Sequence, residues 1–419
     1  MQIIVFEDDL VSRLHPITLG RAGYAMTCGS YRLIDWLERL AGEIGASLRG
    51  IVRPHLQPIQ RLDFPQIDHQ PPTVETPALL VNARLVPTVA AYRTLRKLAD
   101  GMDTVAIYHD KSLAAALVAA HGPAPPPDAE IGHWNKYVQN SVSGKLPASD
   151  ARLPLFVYPH DLVRYNLEII GENLAHRLES GRFREIADGV FAAEGAKLGQ
   201  YCVADAAKGP VLLDEGATVG PYSFLRGPAY LGPKSRVIEH SAIKDAVSLG
   251  HTTKIGGEIE ASIVEPYTNK QHHGFLGHSY LGSWINLGAG TSNSDLKNTY
   301  GAVKIDYRGE QVATGMQFVG CMLGDYAKTA INTGIFTGKT VGCCSMVYGF
   351  VTTNVPSFVN YARLFGQVTE LPPEVMVATQ QRMFGRRNVQ QRQCDIDLIH
   401  AMYDLTRNER QLAGEPLAL

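Results

Sequence analysis

No sign of charge dominates this 419-residue chain: its formal net charge is −2, and no long basic run occurs. Nucleic acid and anionic membrane surfaces are therefore not the favoured partners. It also lacks any apolar run of about 18 residues, the length that crosses a bilayer. The start, MQIIVFEDD, turns acidic without the basic-then-apolar order of a secretory signal, so the expected location is cytoplasmic. Cysteine is sparse and scattered. Cys28, Cys202, Cys321, Cys343, Cys344 and Cys394 include no CxxC pair, a pattern of reduced buried thiols rather than of a disulfide framework.

What is present is an ordinary globular composition, 45% apolar and 19% charged. The length predicts two or three domains. Glycine (40) and proline (24) are slightly high, as a fold with many turns requires.

A period of six runs through the middle. Leu213, Val219, Leu225, Leu231, Val237, Ile243, Leu249 and Ile255 are all aliphatic, and mostly small residues stand two positions earlier. The phase slips near residue 260, resumes at Phe275, Leu281 and Leu287, breaks over 292–318, and returns at Leu323, Thr329, Ile335, Val341 and Val347. Such a period predicts a hexapeptide β-helix, a triangular coil of three flat strands and three tight corners. One side chain per strand points inward and stacks on its equivalent a coil away; a single coil buries nothing, so only the stack is stable. The polar break at 292–318 reads as a loop inserted between coils, on what is often the binding face.

Residues 1–185 read as an α/β domain with a parallel or mixed sheet. QIIVF, PALLVNARLV and TVAIYH are predicted strands, and SYRLIDWLERLAGEI, TVAAYRTLRKLAD and DKSLAAALVAAHG predicted helices. A long helix follows from His160, with Asp161 able to cap it. Residues 122–155 read as a loop or lid. The expected domains are 1–185, a β-helix over 186–360, and a helical arm over 361–419 that caps the coil or meets another subunit.

The run HHGFLGHSYLGSWINLGAGT, residues 272–291, resembles the acetyltransferase domain of bifunctional GlmU, in which a His is followed by LTYLG and NIGAGT without a gap. The resemblance is closer to the GlmU-like sugar nucleotidyltransferases, which share FEDD near the start, a PLT…R segment, a LLxNxRLxP strand and KxHxGFLGxSxxGxWxNLGAxTxNSxLKNxYG. The matching residues here are Phe6–Asp9, Pro16-Ile17-Thr18 with Arg21, Leu79–Pro87 and Lys270–Gly301. The resemblance implies a nucleotidyltransferase-like N-terminal domain and a left-handed parallel β-helix that forms a homotrimer. Its implied activity is acyl transfer from acetyl-CoA to an amino-sugar phosphate or nucleotide sugar.

Acyl transfer to an amine needs a base with a pKa near neutrality, which suits histidine. The resemblance puts that base on His272; His273 competes, and His272 is otherwise free to satisfy a corner carbonyl. Asn286 opens the NLGAGT run. Ala289 matches the position whose backbone approaches acyl-CoA, where an N–H can serve the thioester oxygen. Arg226, in VGPYSFLRGP, matches an arginine that holds a sugar phosphate through bidentate geometry. The basic pair upstream of the family's His corresponds to Glu260 and Ala261, and its following tyrosine to Phe275. Asn293, Asp295, Lys297 and Asn298 are then the replacements expected from the inserted loop, with Lys270 a further candidate.

Nucleotidyl transfer by the N-terminal domain is the alternative. There VFEDDLVSRLHP stands where a glycine-rich phosphate loop is expected, and Ala83-Arg84 where Gly-Asp would hold Mg²⁺. Glu7, Asp8 and Asp9 remain as Mg²⁺ ligands, with Arg13 or Arg21 for phosphate. A third reading, zinc shared between subunits by His272, His273 and His278 with His240 or His251, needs a trimer contact.

Overall fold

The computed structural model describes residues 1–70, 76–120 and 122–412. The chain forms two compact units. One comprises 1–14, 20–26 and 31–158; the other takes 15–19, 27–30 and everything from Pro159 onward.

The first unit is built on a five-stranded mixed sheet, in the order Ser47–Ile51, Gln2–Phe6, Ala78–Asn82, Ser112–Val118, Val105–His109. The first three strands are parallel, and Ser112–Val118 runs antiparallel to both its neighbours. Helix Leu33–Ile44 buries Leu33, Ile34, Trp36, Leu37, Leu40 and Ala41; Arg32 and Asp35 box its start and left-handed Gly45 ends it. Helix Val89–Ala99 is capped by the Thr88 hydroxyl, which accepts from the Ala91 N–H.

Two expectations fail in this unit. The helix expected over DKSLAAALVAAHG is instead a hairpin strand; Leu113–Val118 is buried throughout, so it shows neither helical nor alternating periodicity. His121 of that stretch lies outside the described residues. The segment expected to be only a loop contains the helix Ile131–Tyr137, whose Trp134 and Tyr137 pack under the sheet with Ile4, Phe6 and Leu80.

The second unit is a three-sided parallel β-solenoid. On one face the inward column reads Val219, Val237, Ile255, Lys270, Leu287, Thr329, Val347, Tyr361. The second face carries Leu225, Ile243, Ile259 and Leu276 inward. The third carries Leu213, Leu231, Leu249, Val264, Leu281, Leu323 and Val341. Apart from Lys270 and Thr329, these side chains form one continuous hydrophobic core, each buried aliphatic contributing roughly 1.5–3 kcal/mol.

The phase slip has a geometric cause. Val237 stacks on Ile255, 18 residues on, but Ile255 stacks on Lys270, only 15 residues on. The short coil puts a lysine in an aliphatic position and makes Leu276, not the expected Phe275, the inward residue that follows. The polar insertion carries an antiparallel hairpin, Lys304–Tyr307 with Glu310–Ala313.

Helices flank the solenoid. Asp161–Leu178 packs Ile170 and Leu174 against Leu212, Tyr230 and Ala246 of the third face. Asp161 does not cap it: it is the first helical residue and pairs with Arg164 instead. Helix Pro373–Gly385 lies on the first face, with Phe384 against Trp284 and the Gln380 amide donating to the Tyr326 hydroxyl. Helices Gln393–Leu405 and Arg407–Leu412 follow. All six cysteines are free. Among the described residues no helix is long and apolar enough to cross a membrane.

Candidate functional site

Strand Asn269–Lys270 leaves the first face and turns through Gln271-His272-His273-Gly274 into strand Phe275–Gly277 of the second. Lys270 fixes this corner from inside. Its ammonium donates to the carbonyls of Gly256, His272 and Gly274, each at 2.8 Å. Those three bonds use every donor an ammonium has. Burial pushes its pKa down to about 8. Lys270 is thus a strut under the corner, not the substrate contact expected of it.

The result is an outward His272. Its imidazole is exposed, and Nε2 stands 3.2 Å from the Gln271 amide. The alternative role of the His272 ring, bonding a corner carbonyl, is not seen among the described residues. His273 beside it is also exposed, and its carbonyl accepts from the Gly290 N–H at 3.0 Å. That bond stacks the next corner, Gly288-Ala289-Gly290-Thr291, on the histidine corner. Gly290 has φ +76°, and a Cβ there would press on Asn332 and on His273 Nε2, so only glycine suits the position. The Ala289 carbonyl accepts from Asn332 of the following corner, while its N–H has no protein acceptor among the described residues.

Beside this corner lies a cleft of about 140 Å³, between the outer side of the first face and the end of helix Pro373–Gly385. Its strand side is an outward column in register, Arg236, Lys254, Asn269, Asn286, Lys328, of which Lys254, Asn269 and Asn286 line the cleft along with Gln271. Asn269 donates to Asn286 at 2.7 Å. Tyr267 and Trp284 stack at 4.1 Å to form a wall, closed by Phe384 at 4.4 Å. Met383, Arg386 and Arg387 complete the helix side.

Asn286 therefore shares a cleft with the neighbour of His272. The other expected site residues lie elsewhere. Arg226 is on the second face, with three strand spacings, about 14 Å, between its strand and Phe275–Gly277. It is also engaged by Asp245, which removes it from the histidine corner. Asn293 is buried and spends its amide on Gly277, accepting from N–H at 2.9 Å and donating to C=O at 3.0 Å. Lys297 donates to the Ala302 carbonyl inside the insertion. Asp295 orients His278, Oδ2 to Nδ1 at 2.8 Å, and that imidazole stacks on Phe318. The described residues hold no cluster of three or more potential metal ligands.

In the first unit the FEDD carboxylates are occupied. Glu7, fully buried, accepts from the Gly23 and Arg53 N–H groups and from the Arg53 guanidinium. Asp8 holds Arg84 through two bonds, at 2.8 and 2.6 Å, and also accepts from Asn82. Asp9 accepts from Asn135 at 2.6 Å, and the Arg21 carbonyl accepts from Arg53. All four acceptor sites of Glu7 are filled, and three of Asp8's are, two of them by one guanidinium, so neither presents the open carboxylate that a Mg²⁺ site needs.

The cleft was the part not anticipated. Lys254, Trp284 and Arg386-Arg387 are far apart in sequence, and only the outward position of Lys254 beside inward Ile255 hinted at it.

Comparisons with known proteins find similarity to sugar nucleotidyl transferases and to GlmU proteins. Residues 3–182 match the model of the family described as sugar nucleotidyl transferase. The chain is 27% identical over 149 residues to the bifunctional sugar-1-phosphate nucleotidylyltransferase/acetyltransferase of Sulfurisphaera tokodaii, covering 35% of this chain and 37% of that protein. It is 28% identical over 119 residues to the bifunctional protein GlmU of Methanococcus vannielii, covering 28% of each. The chain thus spans about a third of the length of these relatives. Among solved structures, the Francisella novicida UDP-N-acetylglucosamine acyltransferase is 15% identical with a TM-score of 0.35, covering 56% of this chain and 79% of that one, a likeness too weak to bear on function. In sequence, the chain is similar to GlmU-type proteins over about a third of its length.

Proposed function

We propose that the solenoid unit transfers an acyl group from acyl-CoA to the amine of an amino-sugar phosphate or nucleotide sugar. The observation that carries this reading is the exposed His272 imidazole, on a corner braced from inside and in contact with Gln271 of the cleft wall. His272 takes the proton as the amine attacks the thioester carbon; the N–C bond forms, the C–S bond breaks, and the proton goes to the departing thiolate, releasing the thiol. The Ala289 N–H, without a protein acceptor among the described residues, supports the thioester oxygen as negative charge develops there. Asn286 and Gln271 position the acceptor. Acetyl-CoA is the expected donor, and a cytoplasmic homotrimer the expected form.

The test follows thiol release from acetyl-CoA with glucosamine 1-phosphate and UDP-glucosamine as acceptors. His272→Ala should lose about 10²–10⁴ of the rate while calorimetry still shows acetyl-CoA binding. A wild-type protein that binds no acetyl-CoA overturns the reading.

A second reading, nucleotidyl transfer to a sugar 1-phosphate by the N-terminal unit, is favoured by the family match over 3–182. The engagement of Glu7 and Asp8 by arginines weighs against it.

A further inference from the structure

The cations around the cleft have no counter-charge. Among the described residues, Arg236, Lys254, Lys328, Arg386 and Arg387 form no ion pair with a carboxylate. On the second face of the solenoid the outward strand cations are neutralised: Arg226 meets Asp245, and Lys244 meets both Glu258 and Glu260. The contrast is between two faces of one solenoid, so it is not a matter of overall composition.

A helix C-terminus attracts cations, which would account for an arginine at the end of Pro373–Gly385. It does not account for Arg236, Lys254 and Lys328, which stand on strands in register with one another through the two asparagines. Nor is the crowding cheap. Burial first, then Arg387, Arg236 and Arg386, lowers the pKa of Lys254; burial and Arg386 lower that of Arg387. Like charges held together in a half-buried cleft repel until an anion enters. The cleft also offers an acceptor with no donor, since Asn269 Oδ1 is buried without a hydrogen-bond partner.

We propose that this cleft binds a phosphate-bearing ligand that also presents a hydroxyl. Lys254, Arg386 and Arg387 hold the phosphate, and Asn269 Oδ1 accepts from the hydroxyl. Arg and Lys divide the task by geometry: the guanidinium groups clamp oxygens in pairs and the ammonium acts as a point charge. A volume of about 140 Å³ suits a phosphate or diphosphate group, with the remainder of the ligand extending along the strand face. The inference goes beyond acyl transfer, because it concerns binding and holds whether or not His272 is a base.

The experiment is calorimetric titration of the full chain at low salt with inorganic pyrophosphate, UDP and 3′-phosphoadenosine 5′-phosphate. Wild type should bind pyrophosphate with a Kd below about 1 mM. Arg386→Gln with Arg387→Gln, and separately Lys254→Gln, should weaken binding at least about tenfold. Arg382→Gln, an exposed helix cation whose guanidinium bonds Thr379 and which is not among the cleft-lining residues, should leave it unchanged. The two cleft variants sit on different elements, so a folding defect in one, visible by circular dichroism, leaves the other to decide. Tighter binding of UDP, or of the phosphorylated adenosine, than of pyrophosphate identifies which nucleotide supplies the phosphate. His272→Ala should bind pyrophosphate like wild type even where acyl transfer is lost, which separates this proposal from the catalytic one. No wild-type binding of any of the three probes, or binding that both cleft variants retain, overturns it.

Discussion

Lys270 replaces an aliphatic in the inward column of the first face, and its charge is tolerated because three carbonyls take its three N–H bonds. In the unfolded chain a lysine titrates near 10.4; here burial brings the value to about 8. Below about pH 8 both states hold the proton, and this group adds no pH dependence. Between about 8 and 10.4 the unfolded chain holds a proton that the folded chain has released, so stability rises with pH. The full gain is about 3 kcal/mol. Urea unfolding of wild type and Lys270→Met at pH 7 and pH 10 should therefore show the difference between them moving by about 2–3 kcal/mol in favour of wild type at the higher pH. A constant difference would mean that Lys270 keeps its proton through that range. The substitution should also cost activity at neutral pH, because the His272 and Gly274 carbonyls lose the donor that sets the corner.

Among the elements, those the sequence exposed were those with a clean period. Hexads from Leu213 to Ile255 were legible because each coil of 18 residues repeats three strands of one pattern. The coil of 15 was not, since a lysine in an inward slot carries no aliphatic signal. Strand Ser112–Val118 was misread because burial of nearly every residue erases alternation. Helix Pro373–Gly385 was legible as a helix, but not its docking, which rests on Phe384, Met383 and Gln380 meeting residues some 50 to 100 positions earlier. Phe384 is 4% exposed and lies against Trp284. Phe384→Ala should weaken that docking by about 3 kcal/mol. The expected signs are a red-shifted tryptophan emission and faster tryptic cleavage at Arg386-Arg387, while the solenoid keeps its melting transition. Unchanged emission and cleavage would show that the helix is held by its other contacts alone.

For the whole chain, the question is which unit carries chemistry. The histidine corner was legible because motif residues 269–291 are contiguous and the corner is local; the fate of FEDD was not, because the partners of Glu7 and Asp8 are Arg53 and Arg84, brought in by neighbouring strands. Arg84 is 1% exposed, and the sequence resemblance aligns it with the position expected to carry a metal carboxylate. An arginine at that point supplies the positive charge to Asp8 internally, so Mg²⁺ would have to compete with a bidentate guanidinium that is itself buried. The N-terminal unit should therefore show no Mg²⁺-dependent gain in UTP binding, and no pyrophosphate release from UTP with glucose 1-phosphate or N-acetylglucosamine 1-phosphate. The comparison is titration of UTP into the full chain with Mg²⁺ at millimolar concentration against Na⁺ at matched ionic strength, which removes the screening contribution. UTP heat that persists without Mg²⁺ and falls in the Arg386→Gln, Arg387→Gln protein belongs to the solenoid cleft. Heat that needs Mg²⁺ and survives that substitution belongs to the N-terminal unit, and would mean that the Asp8–Arg84 pair opens on ligand binding.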